Sequence, residues 1–150
     1  MSAILQLIAG RRVETIESDG TVIEQGTSSG PMFVLINGEV EVLRDNVRIA
    51  KVSDPGAVFG EMSVLLDGPH HVTIRALKPT SFAVIDDPLQ FLAASTEASL
   101  HVAGLLAARL DILTKYLVDV KQQYEGHDHI GMVNDVLTTL MHHQQRKSRP

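Results

Sequence analysis

Short strand-like segments, separated by turns rich in glycine, proline and asparagine, constrain the fold of this chain more than any other feature. They cover residues 12–16, 21–24, 32–36, 39–43, 47–52, 72–76 and 81–85. Residues 12–16 and 39–43 alternate between polar and apolar side chains, as β-strands with one solvent-facing side do. Many short strands at close intervals are typical of an antiparallel β-barrel or jelly roll. Asn37-Gly38 is the strongest hairpin signal and predicts that the strands on either side of it pair.

The hydrophobic period changes from two to three or four after Asp86. Asp87 is predicted to cap a short helix that begins with Pro88 and ends near Ala94. Thr96 is predicted to cap a long helix over residues 97–124. The sequence therefore predicts a β-rich first part followed by helices.

The long helix has apolar residues on two of its faces. One set keeps alternating spacings of three and four, as in a heptad seam: Ala103, Leu106, Leu110, Leu113, Leu117, Val120 and Tyr124. A second stripe contains Val102, Leu105, Ile112 and Tyr116. Two apolar faces need two partners, so we predict that one face packs on the strands and the other on a second copy, giving a homodimer through residues 97–124. The alternative is a helix buried within its own monomer.

Three regions follow from these patterns. Residues 1–96 are predicted to form the β jelly roll, residues 97–124 the long dimerisation helix, and residues 127–150 a C-terminal helix and tail. The C-terminal helix, predicted from Ile130 to about residue 144, lacks the second helix and basic face that a helix-turn-helix module needs. The basic cluster at residues 146–149 is interpreted as a solvated tail.

Composition excludes several kinds of partner. The net charge is −5, and the 13 lysines and arginines are scattered, which argues against a nucleic-acid surface. There are no cysteines, so disulfides and thiolate chemistry are excluded. No apolar run is long enough to span a bilayer, and residues 1–8 lack the features of a secretion signal. We therefore expect a cytoplasmic protein without a membrane partner.

The segment at residues 58–76 has the pattern of a ligand cradle. It reads as a strand end that breaks at Gly60, one turn of helix through Leu66, a Gly68-Pro69 turn and a new strand. Free N–H groups at the start of such a helix favour an anion. We interpret residues 58–76 as a phosphate cradle.

This segment closely resembles the phosphate-binding cassette of the cyclic nucleotide-binding domain family, roughly F-G-E-[LM]-A-L-L-x-x-x-P-R-x-A-T. The matching residues are Phe59, Gly60, Glu61, Met62, Leu65, Pro69 and Thr73, while Ser63, Val64 and Val72 depart mildly. Residues 20–26, 33–42 and 55–58 also look like strand and turn sequences of that family. The resemblance implies a β jelly roll followed by a long helix, as in catabolite activator-like sensors, here without a DNA-binding domain.

The resemblance also implies a ligand, cAMP or another 3′,5′-cyclic nucleotide, and no cofactor. Gly60 and Ser63 would donate backbone hydrogen bonds to the cyclic phosphate, and Glu61 would accept one from the ribose 2′-hydroxyl. A carboxylate is the natural acceptor for that hydroxyl. Acidic residues are also common in a first helical turn for electrostatic reasons alone. The predicted ligand-binding residues are Phe59, Gly60, Glu61, Met62, Ser63, His70, His71 and Thr73.

His70 stands where the family carries an arginine that grips the phosphate, and His71 stands at a usually small position. A histidine has one donor when neutral and is charged only below about pH 6.5. Loss of a charge-assisted hydrogen bond, about 1.5–3 kcal/mol, weakens binding roughly tenfold to a hundredfold or more. If His70 holds the phosphate, binding should be strongest at low pH. The alternative is that His70 and His71 have no ligand role.

Three functional classes remain open at this point. The first is a non-enzymatic cyclic nucleotide sensor that signals to an unknown protein partner through its C-terminal helices. The second is a degenerate scaffold that keeps the fold for protein interaction but binds no nucleotide because of His70. The third is a metal enzyme on a jelly roll, suggested by the seven histidines and by His127-Asp128-His129. That motif follows the long helix rather than lying on a strand, and no activated nucleophile is visible, so we expect neither a metal site nor catalysis.

Overall fold

The computed structural model describes residues 3–123 and 130–142. In chain order these residues form α1 (Ala3–Leu7), β1 (Val13–Ile16), β2 (Thr21–Ile23), β3 (Met32–Asn37), β4 (Val40–Arg44), β5 (Val47–Val52), β6 (Val58–Phe59), α2 (Glu61–Leu66), β7 (Thr73–Ala76), β8 (Thr80–Ile85), α3 (Pro88–Ala94), α4 (Thr96–Gln123) and α5 (Ile130–His142). From β1 onward, the order of strands and helices matches the sequence prediction.

The strands form two antiparallel four-stranded sheets. One sheet has the order β1-β8-β3-β6 and the other the order β2-β7-β4-β5. Neighbours in the sheets are often distant in sequence, as in the pairing of Val13 with Ala83 and of Val40 with Ala76. The predicted fold class, a mainly β jelly roll followed by a long and a short helix, is confirmed.

The hydrophobic core of the β region takes side chains from both sheets. Its buried members are Ile23, Phe33, Leu35, Val40, Phe59, Ile74, Phe82 and Val84. Phe82 lies at the centre, with the rings of Phe33 and Phe59 packed edge to face on it at centroid distances of 6.0 and 6.2 Å. Aromatic pairs in this arrangement stabilise beyond their burial by about 0.5–1.5 kcal/mol each. The core therefore fixes the end of β6, where the cradle begins.

The predicted hairpin at Asn37-Gly38 is wrong. β3 pairs with β8 and β6, whereas β4 pairs with β5 and β7, so the two residues carry the chain from one sheet to the other. Gly38 has a φ of +114°, and a Cβ there would lie 2.6 Å from the Thr80 Cα. The positive φ that the dipeptide predicts is present, and the space beside Thr80 has no room for a Cβ, but the strands on either side pair with other strands.

The second turn prediction is confirmed. β4 and β5 form an antiparallel hairpin closed by Asp45 and Asn46. Both residues have positive φ, 52° and 64°, which the short polar side chains of Asp and Asn tolerate. The Asp45 main-chain N–H also donates to the Gln25 side chain at 2.9 Å, which joins this turn to the segment that follows β2.

The helix caps differ in detail from their predictions. Asp87 precedes α3, with Pro88 at its start, but the Asp87 carboxylate makes no capping bond and instead accepts from Arg11 at 2.5 Å. That contact lowers the pKa of Asp87. Ser95 rather than Thr96 caps α4, because the Ser95 Oγ accepts from the Ala98 N–H at 3.1 Å. The arginine contact joins residues 76 positions apart and therefore depends on tertiary geometry.

The chain divides into two compact units, residues 1–102 and 103–150. In the second unit, Leu110, Ile112, Leu113 and Tyr116 of α4 are exposed, as are Met132, Val136 and Met141 of α5. Tyr124, the last residue of the predicted seam, lies outside the described residues, as do residues 143–150.

Among the described residues, no individual helix combines the length and the apolar composition needed to cross a membrane. Within the same residues, that length and composition are reached only by α3 and α4 taken together, and these two helices are bent by 108° at the break between them.

Candidate functional site

The candidate site begins where β6 ends. β6 is held in place by its pairing with β3, in which Phe59 lies opposite Phe33. The next residue, Gly60, has a φ of +90°, in the left-handed region that favours glycine. This conformation lets the chain pass directly from β6 into α2. The first residue of α2, Glu61, is consequently buried, with 6% of its surface exposed.

Ser63 closes the far side of the same turn. Its Oγ donates to the main-chain carbonyl of Gly68, and the Gly68 N–H donates back to the Ser63 carbonyl at 3.1 Å. Asp67 adopts a left-handed conformation with a φ of 54°, which ends α2. The Ser63 side chain is thus used within the turn, and its predicted role as a backbone donor to phosphate stays a prediction.

His70 is buried against the segment between β2 and β3, residues 24–31, which we call the 24–31 loop. Only 5% of the His70 surface is exposed. Its main-chain N–H donates to the Thr27 carbonyl, and its carbonyl accepts from the Gly26 N–H, both at 2.9 Å. Its ring Nε2 lies 2.5 Å from the Ser29 Oγ. Backbone and side chain together therefore join His70 to the 24–31 loop.

The environment of His70 favours its neutral form. Burial lowers the pKa of the imidazole, and the nearby His71 lowers it further. The Glu61 carboxylate acts in the opposite direction and raises the pKa of His70. Glu61 and His70 thus lie within electrostatic range of each other, although nine positions separate them in sequence.

The other predicted site residues are placed differently. Thr73 accepts a hydrogen bond from the Gln25 N–H at 3.0 Å, so its hydroxyl also holds the 24–31 loop. His71 is half-buried. The Met62 side chain is 42% exposed, whereas Phe59 lies in the hydrophobic core. The structure therefore groups Gly60, Glu61 and His70, and gives Phe59 a packing role.

Ser29 and Gln25 were not predicted as site residues. The contact between Ser29 and His70 joins residues 41 positions apart, and that between Gln25 and Thr73 joins residues 48 apart. The surrounding Gly-Thr-Ser-Ser-Gly sequence signals only a loop. No local signal identifies either residue as a neighbour of the cradle.

A metal site finds no support in the described part of the chain. Residues 3–123 and 130–142 contain no group of three or more His, Cys, Asp or Glu side chains able to hold a metal ion. The His127-Asp128-His129 motif lies outside those residues.

Comparison with known proteins agrees with this geometry. The family model of the cyclic nucleotide-binding domain matches residues 13–93. A cAMP-dependent protein kinase regulatory subunit of Yarrowia lipolytica is 27% identical over 77 residues, which are 51% of this chain and 20% of that protein. The match thus spans about a fifth of the relative's length.

Solved structures share the fold at lower identity. The catabolite activator protein of Thermus thermophilus matches with a TM-score of 0.62 and 20% identity, over 98% of this chain and 86% of that one. A transcriptional regulator of Thermotoga maritima matches with a TM-score of 0.67 and 14% identity, over 81% of this chain and 99% of that one.

The family model covers more than half of the 150 residues, including all of β1 to β8, α2 and the cradle between them. The chain belongs to the cyclic nucleotide-binding domain family.

Proposed function

We propose that this protein is a non-enzymatic regulatory module of the cytoplasm that binds a 3′,5′-cyclic nucleotide, such as cAMP, in residues 58–76. The proposed ligand contacts are those of the predicted site residues, with Gly60 and Ser63 at the cyclic phosphate and Glu61 at the ribose. The observation that carries the proposal is the left-handed turn at Gly60, which places the buried Glu61 in the electrostatic range of His70.

The chemistry of this group suits a cyclic nucleotide. In such a ligand the 3′ and 5′ oxygens are tied up in the phosphate, so the 2′-hydroxyl is the remaining free hydroxyl of the ribose. A carboxylate such as Glu61 accepts its hydrogen bond, and an imidazole such as His70 can donate to the phosphate. The kinase regulatory subunit named above is described as cAMP-dependent, which supports cAMP as the first ligand to test.

Binding is tested by thermal shift and titration calorimetry with cAMP and cGMP. A ligand that binds only the folded state raises its stability by mass action, about 2.7 kcal/mol at a hundredfold excess over Kd. We expect a rise in Tm with cAMP, and none with 5′-AMP, which lacks the ring-closed phosphate. The proposal fails if neither cyclic nucleotide binds the wild type.

We further propose that the protein is a homodimer through residues 97–124 and that ligand binding is relayed through α4 to α5 and then to a partner protein. The exposed apolar side chains of α4 and α5 support this role, since such faces commonly mark interaction sites. Hydrogen exchange in residues 97–144 should change at saturating cAMP. Unchanged exchange would contradict the relay.

One observation favours a second function, a scaffold that binds no nucleotide. The His70 ring is buried and already hydrogen-bonded to Ser29, and an imidazole has neither the permanent charge nor the fork of an arginine. In that case cAMP and cGMP would leave the Tm of the wild type unchanged, whereas His70→Arg would create binding if the rest of the site is intact.

A further inference from the structure

The 24–31 loop fixes the backbone of His70 before any side chain is considered. Gly26 donates to the His70 carbonyl, and the His70 N–H donates to Thr27, each at 2.9 Å. Two such bonds place residue 70 in a defined position relative to the loop. The imidazole therefore meets Ser29 in a constrained geometry.

A serine hydroxyl is a versatile partner for an imidazole. With the ring neutral, either the Ser29 Oγ–H donates to Nε2, which leaves the ring proton on Nδ1, or Nε2–H donates to Oγ. With the ring protonated, Nε2–H donates to Oγ, and Nδ1 again carries a proton. The 2.5 Å contact is compatible with both states, because the hydroxyl rotates to suit. The same residue can thus keep Nδ1 a donor on either side of the His70 titration.

Resting on the proposed function, we propose that Ser29 is a positioning residue that selects the Nδ1-protonated form of His70, so that the ring donates to the cyclic phosphate whether it is neutral or charged. This explains how a histidine can occupy the position of the family's arginine without a permanent charge. The ligand class is an anion with a phosphoryl oxygen at Nδ1.

Among the described residues, two titratable side chains act on the pKa of His70. Glu61 at the start of α2 raises it, and His71, next in the chain, lowers it. In the 24–31 loop the one titratable residue is Glu24, whose side chain is exposed. Asp45 reaches the loop through its hydrogen bond to Gln25. A pH dependence of cAMP affinity must therefore be assigned to His70 by comparing His70 variants with the wild type, not from the wild-type curve alone.

The proposal predicts a pH-dependent cost for losing the hydroxyl. In Ser29→Ala at pH 8, the neutral ring is no longer held with its proton on Nδ1, so cAMP affinity should fall about two- to tenfold, the value of one hydrogen bond. At pH 5.5 more of the ring is imidazolium, which has a proton on Nδ1 in any case, so the fall should be smaller. A residue that only supports the fold would cost the same factor at both pH values.

Titration calorimetry with cAMP at pH 5.5 and 8 tests this. Ser29→Thr keeps the hydroxyl and should restore wild-type affinity, and Ser28→Ala, in the same loop and exposed, is the matched control. Equal losses at both pH values in Ser29→Ala, or a loss of the same size in Ser28→Ala, would overturn the proposal.

A measurement without ligand separates this inference from the proposed function. The ¹⁵N chemical shifts of the His70 ring, measured at pH 8 in the ligand-free protein, report which nitrogen carries the proton. We expect Nδ1–H in the wild type and in Ser29→Thr, and a shift toward Nε2–H in Ser29→Ala. A wild-type ring protonated on Nε2 would refute the inference even if cAMP binds, whereas an absence of cyclic nucleotide binding would refute the proposed function alone.

Discussion

A Cβ atom on Gly60 would lie 3.2 Å from the carbonyl oxygen of Pro31, in a residue whose φ is +90°. Glycine is therefore favoured at position 60 for two separate reasons. The left-handed conformation costs an L-residue about 1–2 kcal/mol, and the contact with a backbone carbonyl leaves little room for a methyl group. Glu61 follows directly, so any shift here moves its carboxylate.

Gly60→Ala should lower both stability and ligand affinity. Gly10 offers a matched control, because its φ is +85° but nothing lies within 4 Å of a Cβ there. We expect Gly10→Ala to cost only the conformational term, about 1–2 kcal/mol, and Gly60→Ala to cost more. Chemical denaturation measures the stability of both variants, and calorimetry with cAMP measures their ligand affinity. Equal losses in the two variants would show that the Pro31 contact adds nothing.

Glu61→Gln should weaken cAMP binding about tenfold or more, because an amide accepts a weaker hydrogen bond from the ribose than a carboxylate does. The matched comparison is in the ligand. With 2′-deoxy-cAMP, which lacks the hydroxyl, wild type and Glu61→Gln should bind with nearly equal affinity in calorimetry. If both ligands lose the same factor, Glu61 acts through the fold and not through the ribose.

The parts of the fold that local chemistry decides were predictable from sequence. Short apolar or alternating segments between turn residues predicted the strands, and Asp45-Asn46 predicted the β4–β5 turn, because the backbone conformation there is set by the residues themselves. Asn37-Gly38 predicted the positive φ but not the pairing, since β3 and β4 pair with strands that are distant in sequence.

The candidate site likewise has one part that the sequence predicted and one part that it did not. The cassette at residues 58–76 could be recognised because its residues are contiguous. Ser29 could not, because its relation to His70 depends on how the 24–31 loop returns to the cradle across 41 positions of sequence. Burial of His70 is likewise a tertiary property, and the sequence could show only that the residue departs from the family pattern.

His70→Arg should raise cAMP affinity about ten- to a hundredfold, since a charge-assisted hydrogen bond is worth about 1.5–3 kcal/mol. The same change should lower the stability of the ligand-free protein, because it places a permanent charge at a buried position and removes the Ser29 contact. Calorimetry and chemical denaturation measure the two effects. Ser28→Arg adds the same charge to the 24–31 loop, and an equal gain in affinity there would point to charge alone.

The pH dependence of stability should reveal the depressed pKa of His70. Between its folded pKa and about 6.5, the unfolded chain binds more protons than the folded one. The stability that the neutral His70 contributes is therefore present above about pH 6.5 and is lost as the pH falls from that value through the folded pKa. Thermal unfolding of the ligand-free protein at pH 7.5 and 5.5 should show the loss.

The His70 contribution is isolated by substitution. His70→Gln removes the titrating group and should reduce the fall in Tm between pH 7.5 and 5.5. His142→Gln, at an exposed position of α5, should leave that fall unchanged. A pH dependence identical in wild type and His70→Gln would show that other groups produce it.

The predicted dimer depends on the heptad seam of α4, and Leu113 tests it. Its side chain is 44% exposed in the single chain. Burying a leucine side chain at a helix interface contributes about 1.5–3 kcal/mol, and two copies are buried in a symmetric pair. A glutamate at this position would place a charge in the seam of both helices, so Leu113→Glu should shift the protein from dimer to monomer.

Ala108 lies on α4 away from the seam and is exposed. Ala108→Glu adds the same charge to the same helix, so it should leave the dimer intact. Analytical ultracentrifugation of the two variants separates a specific seam from a general effect of charge. A wild type that sediments as a monomer, or two variants that dissociate equally, would contradict dimerisation through this face, because residue 113 lies in the heptad seam and residue 108 does not.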